Sequence, residues 1–363
     1  MHKAQWLNTE PSIAFIDQLI QDAVNKNVSD IHIEPAREYC RIRFRRDGLL
    51  YEAASISLQL AARIKTRLKV MANLNIAERR LPQDGRIILH ANAIDIRLST
   101  CPTLFEEKIV LRILETNRLP LDMHTLGLTE KQKMLLLAKL QQPQGLILVT
   151  GPTGSGKTLT LYSALRYLNH IEKNIVSVED PIEIELPGIS QVNVNLQIGL
   201  DFATVLRTFL RQDPDIIMLG EIRDLDTATI AMQAAQTGHL VLSTLHSNHA
   251  LETLTRLQAM GVKTHQIMHA LSLIIAQRLV RKLCGQCDGS GCLNCHHGYA
   301  GRTGIFELIP MTDNISQALL ANKPMHYMKE LVRAEGVMFL REAAEEKVRD
   351  GVTDEAEVER VLG

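Results

Sequence analysis

Over residues 12–27, SIAFIDQLIQDAVNKN, apolar positions recur every three or four residues, placing Ile13, Ile16, Leu19, Ile20, Ala23 and Val24 on one helical face. Ser12 stands where an N-cap belongs, with Phe15 and Ile16 opening the apolar face. The period then switches to two. DIHIEP alternates in and out, and RIRFRRDGLLYEA reads as two strands about an Asp47–Gly48 turn. Helical spacing returns over 58–76, and GRIILHANAIDIRLSTCP and KIVLRIL supply further strands. The pattern predicts a small α+β domain over residues 1–120, ending near Asn117 to Asp122.

A second unit starts at about Gly127. A helix, TEKQKMLLLAKLQQ, leads into GLILVT, a short apolar run of the kind that forms a buried parallel strand. NIVSVE, DIIMLGE and HLVLSTLH follow, each succeeded by helical or loop sequence up to about residue 280. This alternation predicts an α/β domain over residues 121–283, a parallel sheet with helices on both faces. A cysteine-rich stretch fills 284–298, and charged amphipathic segments such as FLREAAEEKVRDG predict a helical C-terminal region over 299–363. No repeats or low-complexity tracts interrupt the chain.

Composition narrows the function classes. A net charge of -1 provides no global basic field, so nucleic acid is not an expected partner. No apolar run of about 18 residues marks a membrane-spanning helix, and MHKAQWLNTEPS lacks a signal-peptide core; a cytoplasmic chain is expected. In that compartment clustered cysteines favour metal over disulfides. Cys284, Cys287, Cys292 and Cys295 form C-x2-C-x4-C-x2-C, a spacing that can close a tetrahedral zinc site through two knuckles, with Gly285, Gly289 and Gly291 permitting the sharp folds. A redox pair, plain reduced thiols, and substitution by His296 or His297 are the alternatives. Cys40 and Cys101 stand alone and read as buried small hydrophobes.

Gly151, Pro152, Thr153, Gly154, Ser155, Gly156, Lys157 and Thr158 spell GPTGSGKT between a predicted strand and a helix. This is the context in which G-x-x-x-x-G-K-[ST] cradles phosphate. Glycines allow consecutive N–H groups to point inward, Lys157 reaches the β and γ phosphates, and the Thr158 hydroxyl ligates magnesium. DIIMLGE ends in Glu221, where such folds carry an acid beside the metal, although Gly220 occupies the place of the common aspartate. Glu179, Asp180 and Glu183 follow NIVSV; one of them can position or deprotonate water, or all three can form a solvated turn. His239 and His246 flank LVLSTL and read either as satisfied structural histidines or as γ-phosphate sensors.

Taken together, GPTGSGKT, VEDPIE, LRQDPDIIMLGEIRD, TGHLVLSTLHSN, the CxxC pair and GYAGRTGIFEL resemble the type II secretion and type IV pilus assembly ATPases. SDIHIEP, RFRRDG, RLPQDGRI and IRLSTCPT resemble the second N-terminal domain of that family, so the resemblance runs from about residue 12 to the C-terminus. It implies a RecA-like motor behind a PAS-like domain, assembled as a homo-hexamer that hydrolyses Mg-ATP between the two domains. It further implies that Glu183 is the catalytic glutamate, Glu221 the atypical metal-side acid, His239 and His246 the histidine box, and Arg97 and Arg112 the arginines reaching phosphate. The implied partners are an inner-membrane platform protein and, indirectly, pilin or pseudopilin, with peripheral association at that membrane.

Two departures stand out. Glu106-Glu107-Lys108 replaces the usual Gly-Glu-Lys, which is expected to alter a tight turn, and His249 replaces an aspartate after STLHSN. Against the family pattern, the sequence starts close to the second N-terminal domain, and the leading domain by which many relatives dock is expected to be lacking. A retraction motor, a DNA-translocating or conjugation ATPase, and a non-hydrolysing nucleotide-gated scaffold are the competing readings. The cysteines favour assembly over retraction.

Overall fold

The structure is a computed structural model and describes residues 12–89, 94–114 and 121–363. The chain divides into two units, Met1–Leu119 and Pro120–Gly363.

In the first unit, helix α1 (Ser12–Asn25) buries Phe15, Ile16, Leu19, Ile20 and Ala23, the face its periodicity predicts. The proposed Ser12 cap and the Ile13 side chain lie outside the described residues. Strands β1 (Val28–Pro35), β2 (Cys40–Arg46), β3 (Leu49–Ile56), β4 (Gln83–Leu89), β5 (Ile94–Pro102) and β6 (Glu107–Leu114) form one antiparallel sheet in the order β3-β2-β1-β6-β5-β4. Helix α2 (Leu58–Met71) follows β3 and is shorter than the 58–76 expected. The β2–β3 hairpin turns at Asp47 (φ 49°) and Gly48 (φ 86°), the mirror-image turn that matches strand twist. Alternation along β2 buries Cys40, Ile42 and Phe44 under the helices.

Residues 90–93, inside one predicted strand run, and most of the predicted boundary at Asn117–Asp122 lie outside the described residues. Cys101 corrects its expected burial: it is exposed near the end of β5. Glu106 needs no glycine, since it avoids the left-handed region and closes its turn through Thr103 N–H at 3.1 Å. It pairs with Lys65, while Glu107 pairs with buried Lys69 at 2.8 Å.

The second unit begins with α3 (Glu130–Leu140), capped by Thr129 and Gln132 reciprocally. Its seven-stranded sheet runs β13-β12-β7-β11-β10-β8-β9. The strands are β7 (Gly145–Thr150), β8 (Ile175–Glu179), β9 (Ser190–Asn193), β10 (Ile216–Leu219), β11 (Leu240–Leu245), β12 (Leu271–Leu283) and β13 (Tyr299–Pro310). Only the β12–β13 pair is antiparallel.

Every residue of β7, β8, β10 and β11 is buried, because helices cover both faces. Successive residues enter opposite cores: Leu146 and Leu148 face one, Ile147 and Val149 the other. The first core is closed by α5 (Phe202–Phe209), α6 (Leu225–Gln236), α7 (Ala250–Ala259) and α8 (Thr264–Ala270) with the later helices. The second is closed by α3 and α4 (Lys157–Leu168).

The C-terminal region over 299–363 is expected to be mostly helical. Instead β13 occupies Tyr299–Pro310 and joins the sheet, and α9 (Asp313–Leu320), α10 (Met325–Ala334), α11 (Leu340–Arg349) and α12 (Glu355–Leu362) follow. Among the described residues no helix is long and apolar enough to cross a membrane.

Candidate functional site

Strands β7, β8, β10 and β11 run parallel, so the loops at their C-terminal ends gather at one edge of the sheet, where ligands of such folds bind. Residues 151–156 leave β7 there and lead into α4. Gly151, Gly154 and Gly156 take φ values of 151°, 80° and 89°. A Cβ on Gly151 would lie 2.6 Å from the Gln277 carbonyl, so β12 walls the loop closely enough to demand glycine. Ser155 Oγ is buried without a hydrogen-bond partner, and the first-turn amides of α4 lack intrahelical acceptors; this donor set fits an anionic phosphate.

Lys157 Nζ donates to the carbonyls of Gly151 at 2.8 Å and Pro152 at 3.1 Å. Burial pushes its pKa down to about 8, Glu221 opposing and Arg278 reinforcing the fall. Thr158 is exposed one residue into α4, where its hydroxyl can meet a metal ion.

Glu221 lies two residues past β10, with its carboxylate 3.5 Å from His246 Nε2, one residue past β11. Arg223 pairs with Glu221 and approaches Asp180 at 3.9 Å, bridging the β10 and β8 loops. A Cβ on Gly220 would meet Glu179 Cα and Val178 O at 3.4 Å, an ordinary contact distance, so the backbone here does not by itself exclude the common aspartate. Thr150 ties the histidine loop to the phosphate loop: its hydroxyl lies 2.7 Å from Ser247 Oγ and accepts from Ser247 N–H at 2.8 Å.

The three acids after β8 separate by environment. Glu179 is buried and accepts from Ser177 Oγ at 2.8 Å, Gln191 Nε2 at 3.1 Å and the Tyr162 hydroxyl. It is therefore a structural carboxylate. Glu183 is half-buried on the following loop, and Asp180 is more open.

His239 is a correction in geometry. It precedes β11, its neighbour across the sheet is the start of β7, and its ring faces the Ala234 carbonyl at 3.0 Å. The length of β7, roughly 17 Å at about 3.3 Å per residue, separates it from this chain's phosphate loop. Of the two flanking histidines, only His246 reaches that edge.

In the first unit Arg97 and Arg112 sit directly opposite on β5 and β6. The Arg112 charge is met by Asp30, which accepts from Arg112 Nε at 2.9 Å and lies 3.6 Å from Arg45. Gln277, Arg223 and Tyr162 were not singled out by sequence reasoning, although Arg223 stood in plain view two residues after Glu221.

The four cysteines form the tip of the β12–β13 ribbon, their sulfurs all within 4.8 Å of one another. The Cys284–Cys292 and Cys287–Cys295 separations are both 3.8 Å. A tetrahedron with metal–sulfur bonds of about 2.3 Å has edges of about 3.8 Å, so the donor set fits a thiolate-bound metal. Gly298 must be glycine, since a Cβ there would fall 2.2 Å from the Gly289 carbonyl. His296 and His297 stay outside the sulfur cluster and meet edge to face, ring centroids 4.3 Å apart. At the ribbon's base the Arg281 guanidinium lies 3.7 Å over the Tyr299 ring and binds buried Glu357 of α12 at 2.7 Å.

A glycine cradle at the end of a buried parallel strand, with an acid and a histidine on the adjoining strands, defines a RecA-like P-loop ATPase. The chain belongs to the type II/IV secretion system protein family, whose model matches residues 5–360. It is 48% identical to the type IV pilus assembly ATPase PilB of Pseudomonas aeruginosa, covering 97% of this chain and 67% of that protein. It is 50% identical to the protein transport protein HofB homolog of Haemophilus influenzae (98% and 74% covered) and 43% identical to the type II secretion system ATPase E of Vibrio cholerae (97% and 75%). Among solved structures, the pilus retraction motor PilT with bound ADP superposes with a TM-score of 0.68 at 26% identity, covering 94% of this chain and 95% of that one. The Legionella pneumophila ATPase DotB, at 23% identity, shares the fold with a TM-score of 0.76 over 98% and 97% of the two chains.

Proposed function

We propose that the chain hydrolyses Mg-ATP as a homo-hexameric motor and that turnover drives pilin or pseudopilin assembly through an inner-membrane platform protein. The observation that carries the ATPase reading is the convergence of Lys157, Glu221 and His246 on one sheet edge. Relatives named for pilus assembly and type II secretion at 43–50% identity support assembly over retraction, which is represented by a neighbour at 26%.

Lys157 and the loop amides bind the β and γ phosphates, and Thr158 and Glu221 would hold magnesium, which would neutralise phosphate charge when bound. Glu183 takes a proton from the attacking water as its oxygen bonds to the γ-phosphorus. The bond to the β–γ bridging oxygen breaks, releasing ADP and phosphate. His246 senses the γ-phosphate and reports its loss to Glu221. Arg97 and Arg112 contribute charge to phosphate, and His239 serves a structural role. The four cysteines would hold zinc in a structural role, closing the ribbon tip rather than taking part in catalysis.

Steady-state turnover of Glu183→Gln on the purified full chain tests the central assignment. A loss of at least about a hundredfold is expected of a missing general base. Wild-type turnover by this variant would remove Glu183 from the mechanism and reopen the nucleotide-gated scaffold.

A further inference from the structure

The helix that begins with Lys157 also grips the acidic loop. Tyr162, five residues further along α4, is fully buried, yet its hydroxyl meets three partners. It donates to Glu179 and accepts from the backbone N–H of Glu183 at 3.1 Å and of Ile184 at 3.4 Å. Gln191 on β9 closes the ring: its Nε2 donates to Glu179 at 3.1 Å and to the Ile184 carbonyl at 3.1 Å, while its Oε1 accepts from Leu186 N–H at 2.7 Å. The loop bearing Glu183 is thus held at its own amides by a side chain of the phosphate-loop helix.

The chemistry of the hydroxyl makes this a directional clamp. A phenol has one proton, and Glu179 claims it; the lone pairs are then left for the two loop amides. Burial, with the Glu179 carboxylate beside it, pushes the Tyr162 pKa well above its ordinary value, so the proton stays on the phenol across the working range. The Glu179 carboxylate is itself oriented toward the phenol by two further donors, Ser177 Oγ at 2.8 Å and Gln191 Nε2 at 3.1 Å.

We infer that Tyr162 is a positioning residue that, oriented by Glu179, fixes Glu183 in register with the phosphates held by Lys157. This rests on the reading of Glu183 as the general base. One rigid helix then sets both the phosphate and the water-activating acid, and a small displacement of that acid costs rate far more than binding.

A double-mutant cycle with Tyr162→Phe and Glu183→Gln tests it, measuring kcat, KM and nucleotide affinity on the full chain. Tyr162→Phe keeps the ring and removes only the hydroxyl. Its expected effect is a fall in kcat of about tenfold with nucleotide affinity within about twofold of wild type. In the Glu183→Gln background the same substitution is expected to change the residual turnover by less than about twofold, because the group it positions is already gone. A further tenfold loss in that background would mean a general structural defect and overturn the inference, as would wild-type kcat in Tyr162→Phe alone. Wild-type turnover by Glu183→Gln would instead overturn the underlying assignment. Thermal melting of each variant confirms that the chains compared are folded.

Discussion

Lys157 is held at a cost to the apoprotein, and that cost can be measured. Burial lowers its pKa from 10.5 to about 8 despite the field of Glu221. At about 1.36 kcal/mol per pH unit the charged ammonium destabilises the fold by about 3 kcal/mol. Its hydrogen bonds to the Gly151 and Pro152 carbonyls return about 1 kcal/mol each at most. Lys157→Met is therefore expected to stabilise the nucleotide-free chain by about 1–2 kcal/mol at pH 7, raising the melting temperature of its unit by about 2–5 °C. The gap depends on pH. Below pH 8 the lysine is charged both folded and unfolded, and the full cost applies. Between about 8 and 10.5 the folded state sheds the proton that the unfolded state keeps, so by pH 10 wild type gains about 2.5 kcal/mol and its stability passes the variant's. Calorimetry at pH 7 and pH 10, without nucleotide and with a non-hydrolysable ATP analogue and magnesium, reads both effects. The analogue should raise the wild-type melting temperature and leave Lys157→Met unmoved. A variant that melts below wild type at pH 7, or a gap that fails to narrow by pH 10, would refute the reasoning.

Two further outcomes follow from the ribbon that ends in the cysteines. Glu357 is fully buried; burial pushes its pKa up, but Arg360 and Arg281 outweigh it and hold it at about 2. Glu357→Ala leaves Arg281 without its carboxylate and should cost about 3–5 kcal/mol in denaturant unfolding, while in wild type the pair's contribution is present above pH 4.5 and lost as pH falls through 2. Elemental analysis should find about one zinc per chain, and a Cys287→Ser, Cys292→Ser double variant should lose it and become open to protease within residues 284–298.

Much of both units was legible because periodicity and burial agree. GLILVT, NIVSVE and HLVLSTLH became β7, β8 and β11, and the Asp47–Gly48 turn formed where its left-handed requirement placed it. Strand β12 was harder to see. Helix α8 runs straight into it at Leu271 with no turn residue between, and the cysteine tip hides its partner β13. His239 and His246 looked symmetric because both flank LVLSTL; the parallel register of β7 and β11 puts His246 at the phosphate-loop end and His239 at the opposite one. Tyr162 sits at ordinary core spacing in TLTLYSALRYL, and only the fold brings the Glu183 amide to its hydroxyl.

The strand that carries the phosphate loop has neighbours drawn from far along the chain. Strand β7 pairs with residues 240–245 on one side and 271–276 on the other, and Gln277 then walls the loop itself. A ribosome adding 5–20 residues per second needs roughly 6–25 s after finishing β7 to deliver that last wall. Until residues 240–245 arrive β7 has two open edges, and until residues 271–277 follow it keeps one, with the phosphate loop still unwalled on that side. Closure of the central sheet is therefore expected to precede nucleotide binding during synthesis rather than to be templated by it.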